Sequence, residues 1–236
     1  MTDTPKCWTN FHLAMEAGVD RVILYGPPGT GKTYAGLHYG DLTGGAHRLI
    51  CTDDMTNLEV TGGFLPSSDG TFKWHEGAGI KAWKGNGMTG GRLVVDEIDK
   101  AGGDVMATLL AILDSEESAE WENPETGELH RPKPGFSAVM TTNVENMNEL
   151  EPALLDRFPV RIRINEPHPD ALRRLSLDLQ KIARSTADAG DRRISLRSWT
   201  TFDEMRKKLG SETALDIIFG ENAPAISDAI KVESVS

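Results

Sequence analysis

Val22-Ile-Leu-Tyr25 runs directly into Gly26-Pro-Pro-Gly-Thr-Gly-Lys-Thr33, and the reading of these twelve residues decides the fold. The first four are apolar and predict a short buried strand. The next eight fit the pattern of a phosphate-binding loop: Gly, four residues, Gly, Lys, Thr. Gly26, Gly29 and Gly31 let the backbone turn tightly and aim its N–H groups inward at phosphate oxygens. Pro27, Pro28 and Thr30 complete the loop, and Tyr34 follows it. Tyr34 to His38 reads as a helix whose positive dipole end faces the same anion. Lys32 can reach the β- and γ-phosphates, and the Thr33 hydroxyl can hold Mg²⁺. A Gly/Pro-rich turn alone carries little information; the strand before it and the helix after it supply the context.

A second landmark is Leu93-Val-Val-Asp-Glu-Ile-Asp-Lys100. An apolar strand ends in adjacent carboxylates. At the carboxyl edge of a parallel sheet, Asp96 can hold Mg²⁺ through water and Glu97 can polarise an attacking water. On its own, Asp-Glu would be an ordinary polar strand end; downstream of a phosphate loop it becomes a catalytic candidate. Phe136 to Asn143 is another buried strand with a polar end. The Asn143 amide could position a water near the γ-phosphate or simply make an Asx turn. Pro152 suits the first turn of a helix ending at Arg157, where an arginine ordinarily serves the dipole or an ion pair.

Around these landmarks the chain alternates strands and helices. Phe11 and Met15 predict a short amphipathic helix, and Arg48 to Thr52 a second strand. Met55 to Met88 is rich in glycine and in exposed-looking aromatics: Phe64, Phe72, Trp74 and Trp83. Ser67-Ser-Asp-Gly70 predicts a hairpin turn there. Its aromatics either pack the segment onto the core or form a projecting contact loop. Val105, Leu109, Ile112 and Leu113 share one face of a core helix. Ala119 to Trp121 against Leu129 to Arg131 predicts a second hairpin. Pro167 and Pro169 punctuate a boundary. Beyond it, Leu172, Leu175, Leu179 and Ile182 lie on one helical face, a polar gap spans 185–193, and further helices follow.

The expected architecture is therefore α/β: a nucleotide-binding core over 1–166 with hairpins near 62–76 and 118–132, a small α-helical domain over 167–230, and a tail over 231–236. The chain has 236 residues and a formal net charge of −11, which argues against attraction to nucleic acid or an anionic membrane. Cys7 and Cys51 lack metal or redox spacing and read as reduced, small apolar side chains. The N-terminal residues lack the layout of a signal peptide, and no apolar run approaches membrane-spanning length, so a cytoplasmic location is expected.

The ordered set Gly26-Pro-Pro-Gly-Thr-Gly-Lys-Thr33, Leu93 to Ala101, Thr141-Thr-Asn143, Leu154-Leu-Asp-Arg-Phe158 and Ser195-Leu-Arg197 resembles AAA+ ATPases over nearly the whole chain. The closest branch is the MoxR-like group, with CbbQ/NorQ-type activases and the cobaltochelatase AAA+ subunit, within the dynein-related family. The resemblance implies a P-loop core with strand order 5-1-4-3-2 and a helical lid. It implies that Lys32 and Thr33 bind the phosphates and Mg²⁺ of ATP, that Asp96 supports the metal, and that Glu97 is the general base of hydrolysis to ADP and phosphate. Asn143 would be sensor 1, Arg157 the arginine finger reaching the neighbouring subunit's nucleotide, and Arg197 sensor 2. Arg161 and Arg163 would be auxiliary arginines. The hairpins fall where this branch carries insertions that line a pore or touch the client. A homo-oligomeric, hexameric ring is implied, with a protein client that could carry a von Willebrand A-type domain. The competing readings are a motor on nucleic acid and a McrB-type GTPase. The second usually shows Asn-Thr-Ala-Asp where this chain has Thr141-Thr-Asn143.

Overall fold

A computed structural model describes residues 4–187, 189–190 and 193–235. Asp188, Asp191 and Arg192 of the expected polar gap, and Ser236 of the expected tail, lie outside the described residues. The chain forms two compact units: one of Asn10–Gly26 with Lys32–Arg163, the other of Met1–Thr9, Pro27–Gly31 and Ile164–Ser236.

The first unit is built on five parallel strands: β1 (Arg21–Tyr25), β2 (Ala46–Ile50), β5 (Arg92–Asp96), β8 (Ser137–Thr141) and β9 (Val160–Arg163). Their order is β2-β5-β8-β1-β9, the predicted 5-1-4-3-2 arrangement. Val22, Ile23, Leu24, Val94, Val95 and Val139 are fully buried, as strands covered on both faces require. In register, Val139 pairs with Val22 on one side and Val94 on the other. The helix α2 (Lys32–His38) lies close on this sheet. A Cβ at Gly36 would stand 3.2 Å from side-chain methyls of both Val94 and Val139, a tighter contact than usual, so the close approach favours glycine. The helices α1 (Lys6–Glu16), α3 (Asn57–Val60), α4 (Ala78–Lys84), α5 (Gly103–Ile112) and α6 (Pro152–Arg157) complete the connections. The predicted Phe11–Met15 helix is thus present.

Second-strand boundaries differ from expectation: β2 starts at Ala46 and stops at Ile50. Pairing sets this, because its five residues run opposite Arg92–Asp96. Cys51 follows, fully buried; burial first, then the Asp99, Asp96 and Glu97 charges, push its thiol up to about 12. It stays protonated and packs as a small apolar group.

Both hairpins form. β3 (Gly62–Pro66) pairs with β4 (Phe72–Glu76), and the shorter β6 (Trp121–Glu122) pairs with β7 (Leu129–His130). The two readings of the aromatics divide by residue. Trp83 is fully buried, contrary to its exposed look in sequence, and donates to the Ile112 carbonyl at 3.1 Å. It lies on α4, whose inner face the sheet covers. Phe64 and Phe72 are exposed. Trp74 bridges the hairpins, with its ring 5.2 Å from Phe64 and 5.7 Å from Trp121.

The second unit is helical: α7 (Pro169–Leu172), α8 (Leu177–Ser185), α9 (Leu196–Leu209), α10 (Ser211–Phe219) and α11 (Ala223–Val235). The last runs through most of the stretch expected as a tail. Trp199, Phe202 and Phe219 form an aromatic cluster with ring separations of 5.5–6.1 Å. Leu172, Leu175, Leu179 and Ile182 are all buried, but they do not share one helix. Ser176 breaks the run: its N–H and its hydroxyl both donate to the Asp203 carboxylate at 3.0 Å. That turn lets α8 restart with its own apolar face.

Candidate functional site

Strands β1, β5 and β8 are neighbours, so their carboxyl ends bring the start of α2, Asp96-Glu97 and Asn143 together. Open α/β sheets bind ligands at this edge. In the phosphate loop Gly26, Gly29 and Gly31 all have positive φ (117°, 78° and 103°), the backbone that points successive N–H groups inward. The Thr30 hydroxyl donates to the Pro27 carbonyl at 3.1 Å, closing the loop on itself.

Within the sheet unit, Lys32 is buried, and its Nζ donates to the Gly26 carbonyl at 2.8 Å and the Asn143 Oδ1 at 3.1 Å. The Thr33 hydroxyl donates to Asp96 Oδ1 at 2.8 Å. Thr141 donates to the same oxygen, and the Arg48 guanidinium bonds Asp96 Oδ2. Burial works to raise the Asp96 pKa. The hydrogen bonds from Thr141, Arg48 and Thr33, with the Arg48 charge, outweigh it and hold the carboxyl below its ordinary value. A hydroxyl and an ionised carboxylate in contact are the hard oxygen donors that Mg²⁺ takes, so the residues present fit that ion.

Glu97 stands next in a left-handed backbone (φ 56°, ψ 46°), the only non-glycine positive φ among the described residues. Such conformations cluster where function demands them. Its carboxylate pairs with Lys100 at 2.6 Å. Asp99 is tied by the Thr142 hydroxyl.

Arg157, at the end of α6, stands apart from this cluster. Its guanidinium meets the Asp114 carboxylate at 3.0 Å and its own helix's Ala153 carbonyl at 3.1 Å. The Ser115 backbone N–H first, then Arg157, hold the Asp114 carboxyl below its usual range. Beside them is an open cleft of about 400 Å³ lined by Arg21, Asp114, Glu116, Lys133, Phe136 and Arg157, among others. Arg21 is buried there, with its guanidinium 4.9 Å from the Phe136 ring centre. Arg161 caps the end of α6 through the Leu155 and Phe158 carbonyls, and Arg163 pairs with Glu145 at 2.9 Å.

In the helical unit, Arg197 is exposed on the first turn of α9, where the Ser195 hydroxyl caps the helix by accepting from Ser198 N–H. Gly29 and Ser195 belong to this unit and approach closely: a Cβ on Gly29 would lie 3.0 Å from the Ser195 Cβ. Arg193 donates to the Pro28 carbonyl at 2.6 Å. In the sheet unit, Tyr34 is exposed and stacks on His38 with ring centres 4.1 Å apart.

Four of these residues escaped sequence reasoning. Thr141 had a signal, since it shares the strand end with Asn143. Arg48 had a faint one, a lone cation in an apolar strand. Arg193 and Asp114 had none.

A family model for the AAA domain (dynein-related subfamily) matches residues 21–158, more than half of the chain. The protein therefore belongs to the AAA family, with the five-stranded parallel sheet and a C-terminal helical region. Two curated relatives reach into the same stretch. The Lon protease of Magnetococcus marinus is 25% identical over 89% of this chain and 29% of its own length. The Holliday junction branch migration complex subunit RuvB of Limosilactobacillus reuteri is 27% identical over 78% of this chain and 49% of its own length. This chain thus spans half or less of the curated relatives it matches. The crystal structure of NtrX from Brucella abortus shares the fold, at a TM-score of 0.53 and 16% identity, over 90% of this chain and 52% of that one. No helix among the described residues is long and apolar enough to cross a membrane.

Proposed function

We propose that this protein is a Mg²⁺-dependent ATPase of the MoxR-like branch that works as a cytoplasmic, hexameric ring and remodels a protein partner. One observation carries the nucleotide half of this reading: at the carboxyl ends of adjacent strands Lys32 is hydrogen-bonded to Asn143, and Thr33 and Thr141 to Asp96. Lys32 is a buried cation that would meet phosphate oxygens from its place beside the Gly26 carbonyl and Asn143. Asp96 and Thr33 would hold Mg²⁺, which would supply positive charge against the phosphates. Asn143 orients the attacking water, and Glu97 takes its proton. The loop residues Gly26, Pro27, Pro28, Gly29, Thr30 and Gly31, with Tyr34, cradle the nucleotide. The helical unit acts as the lid and Arg197 as its sensor.

The ring half of the reading is supported by Arg157. It lies outside the Asp96 cluster and its acidic partner is the part-exposed Asp114. A finger that completes the neighbour's site would have this placement, and such an arginine contributes on the order of 10³–10⁵ in rate. The exposed Phe64 and Phe72 on the first hairpin supply a contact for a protein client, for which a von Willebrand A-type domain is the expected module. The likeness to RuvB favours a second reading, a motor on DNA. The net charge of −11 weighs against it.

Mg²⁺-ATP hydrolysis per subunit, measured against protein concentration, tests the proposal. A specific activity that rises steeply and saturates is expected. A flat activity from a species of monomer mass would overturn the ring. Hydrolysis stimulated by DNA in a salt-dependent manner would replace the protein client with nucleic acid. In Glu97→Gln, nucleotide binding should persist while hydrolysis falls on the order of 10²–10⁴-fold, the usual contribution of a general base. Rapid turnover in that variant would remove Glu97 from the mechanism.

A further inference from the structure

We propose that Arg48 is a positioning residue that competes with the metal for Asp96: it holds the carboxylate in place while the site is empty and yields it when Mg²⁺ and nucleotide bind. The inference rests on the nucleotide-site reading above and adds a residue to it.

The argument begins with the two oxygens of Asp96. Thr33 and Thr141 both donate to Oδ1. Oδ2 is met by Arg48 from the edge strand β2, two residues before Ile50, which pairs in register with Asp96 itself. The carboxylate is buried, with 10% of its side chain exposed. A buried carboxylate oxygen without a cation or donor is costly, so an empty site needs a substitute charge. Arg48 supplies it. The guanidinium side chain is 44% exposed, so water is available to receive it when it leaves. Only the guanidinium end of the pair is well exposed, so its loss is tolerable when an arriving cation takes over the charge that the buried carboxylate requires. A divalent cation arriving beside Asp96 would be repelled by a guanidinium still bound to the same carboxylate. Two cations served by one carboxylate therefore exclude each other in part, and the weaker, half-solvated one gives way.

The test measures metal binding at equilibrium and needs no turnover. Mn²⁺, a paramagnetic stand-in for Mg²⁺, is titrated into the ADP-saturated full chain, and free Mn²⁺ is read from its electron paramagnetic resonance signal. Arg48→Gln should bind Mn²⁺ on the order of threefold to tenfold more tightly than wild type, the size of one partly solvated charge. Arg48→Lys should stay near wild type, because the competing charge is kept. ADP affinity without metal should be alike in all three. Equal or weaker Mn²⁺ binding in Arg48→Gln overturns the proposal. If the wild type takes up neither ADP nor Mn²⁺, the nucleotide-site reading itself fails and this inference with it. If it takes up both and Arg48→Gln matches it, only the role of Arg48 falls. A crystal structure of the wild type with Mg²⁺ and ADP tests the same point without a substitution. Arg48 turned away from Asp96 supports the competition, and Arg48 still on Oδ2 overturns it.

Discussion

Asp96 and Asp114 are both carboxylates met by an arginine, and they are held in opposite ways. Asp96 ends a strand inside the sheet, buried, with two hydroxyls on one oxygen and a guanidinium on the other. Asp114 follows the core helix α5, with 38% of its side chain exposed, and meets Arg157 through one ion pair. The difference teaches how a division of labour would look in one subunit. On the proposed function, a group serving its own chain's nucleotide would be fixed from several sides, and one serving a neighbour would be held by a contact it can release. Asp203 supplies a third case with no place in either site. It is buried in the helical unit and takes bonds from Arg206, Lys207 and Ser176.

The largest effect that could break this comparison is at Arg157. Arg157→Ala should keep nucleotide binding and lose on the order of 10³-fold or more in hydrolysis, as expected of a finger in trans. Mixing it with Lys32→Ala subunits should restore part of the activity, since one chain would supply the site and the other the arginine. Intact mixed rings without rescue would return Arg157 to a structural role.

Asp203 comes next, as the purely structural standard. Burial opposes its ionisation, but the bonds from Lys207, Ser176 and Arg206 prevail and lower its pKa from 3.8 to about 2. A depressed carboxyl contributes stability that is complete above its unfolded pKa and is lost as pH falls through its folded one. The window therefore runs from 3.8 down to about 2. Asp203→Asn should cost about 2–3 kcal/mol at neutral pH by urea unfolding. The gap to wild type should narrow across that window. A gap that stays constant with pH would mean packing, not charge, sets the cost.

The smallest effect should be at Asp114. Asp114→Asn should change stability by less than about 1 kcal/mol, because half-exposed pairs contribute little. Saturated hydrolysis should remain near wild type, since the bond it removes is one that an Arg157 acting in trans would drop anyway. A loss as large as that of Arg157→Ala would erase the contrast between the two carboxylates.

The nucleotide-binding edge was legible in the chain because its information is local. Val22 to Thr33 carries strand, loop and helix start in consecutive residues, and Leu93 to Glu97 carries strand and carboxylates together. What escaped was set by distant partners. The β2 boundary depends on pairing with β5, and the break at Ser176 depends on Asp203, 27 positions on. Arg157 and Asp114 are 43 positions apart, with no periodicity to join them. Trp83 looked exposed because glycines surround it, yet α4 turns it inward.

The left-handed backbone of Glu97 bears on how this protein could be engineered. An L-residue there costs on the order of 1–2 kcal/mol that glycine would not. A library selected only for heat resistance would be drawn to glycine at position 97. It would enrich proteins that melt higher and have lost the carboxylate to which the proposed function assigns the general-base role. Selection for robustness in this fold therefore has to be coupled to a screen for activity, with position 97 as the place where the two demands part.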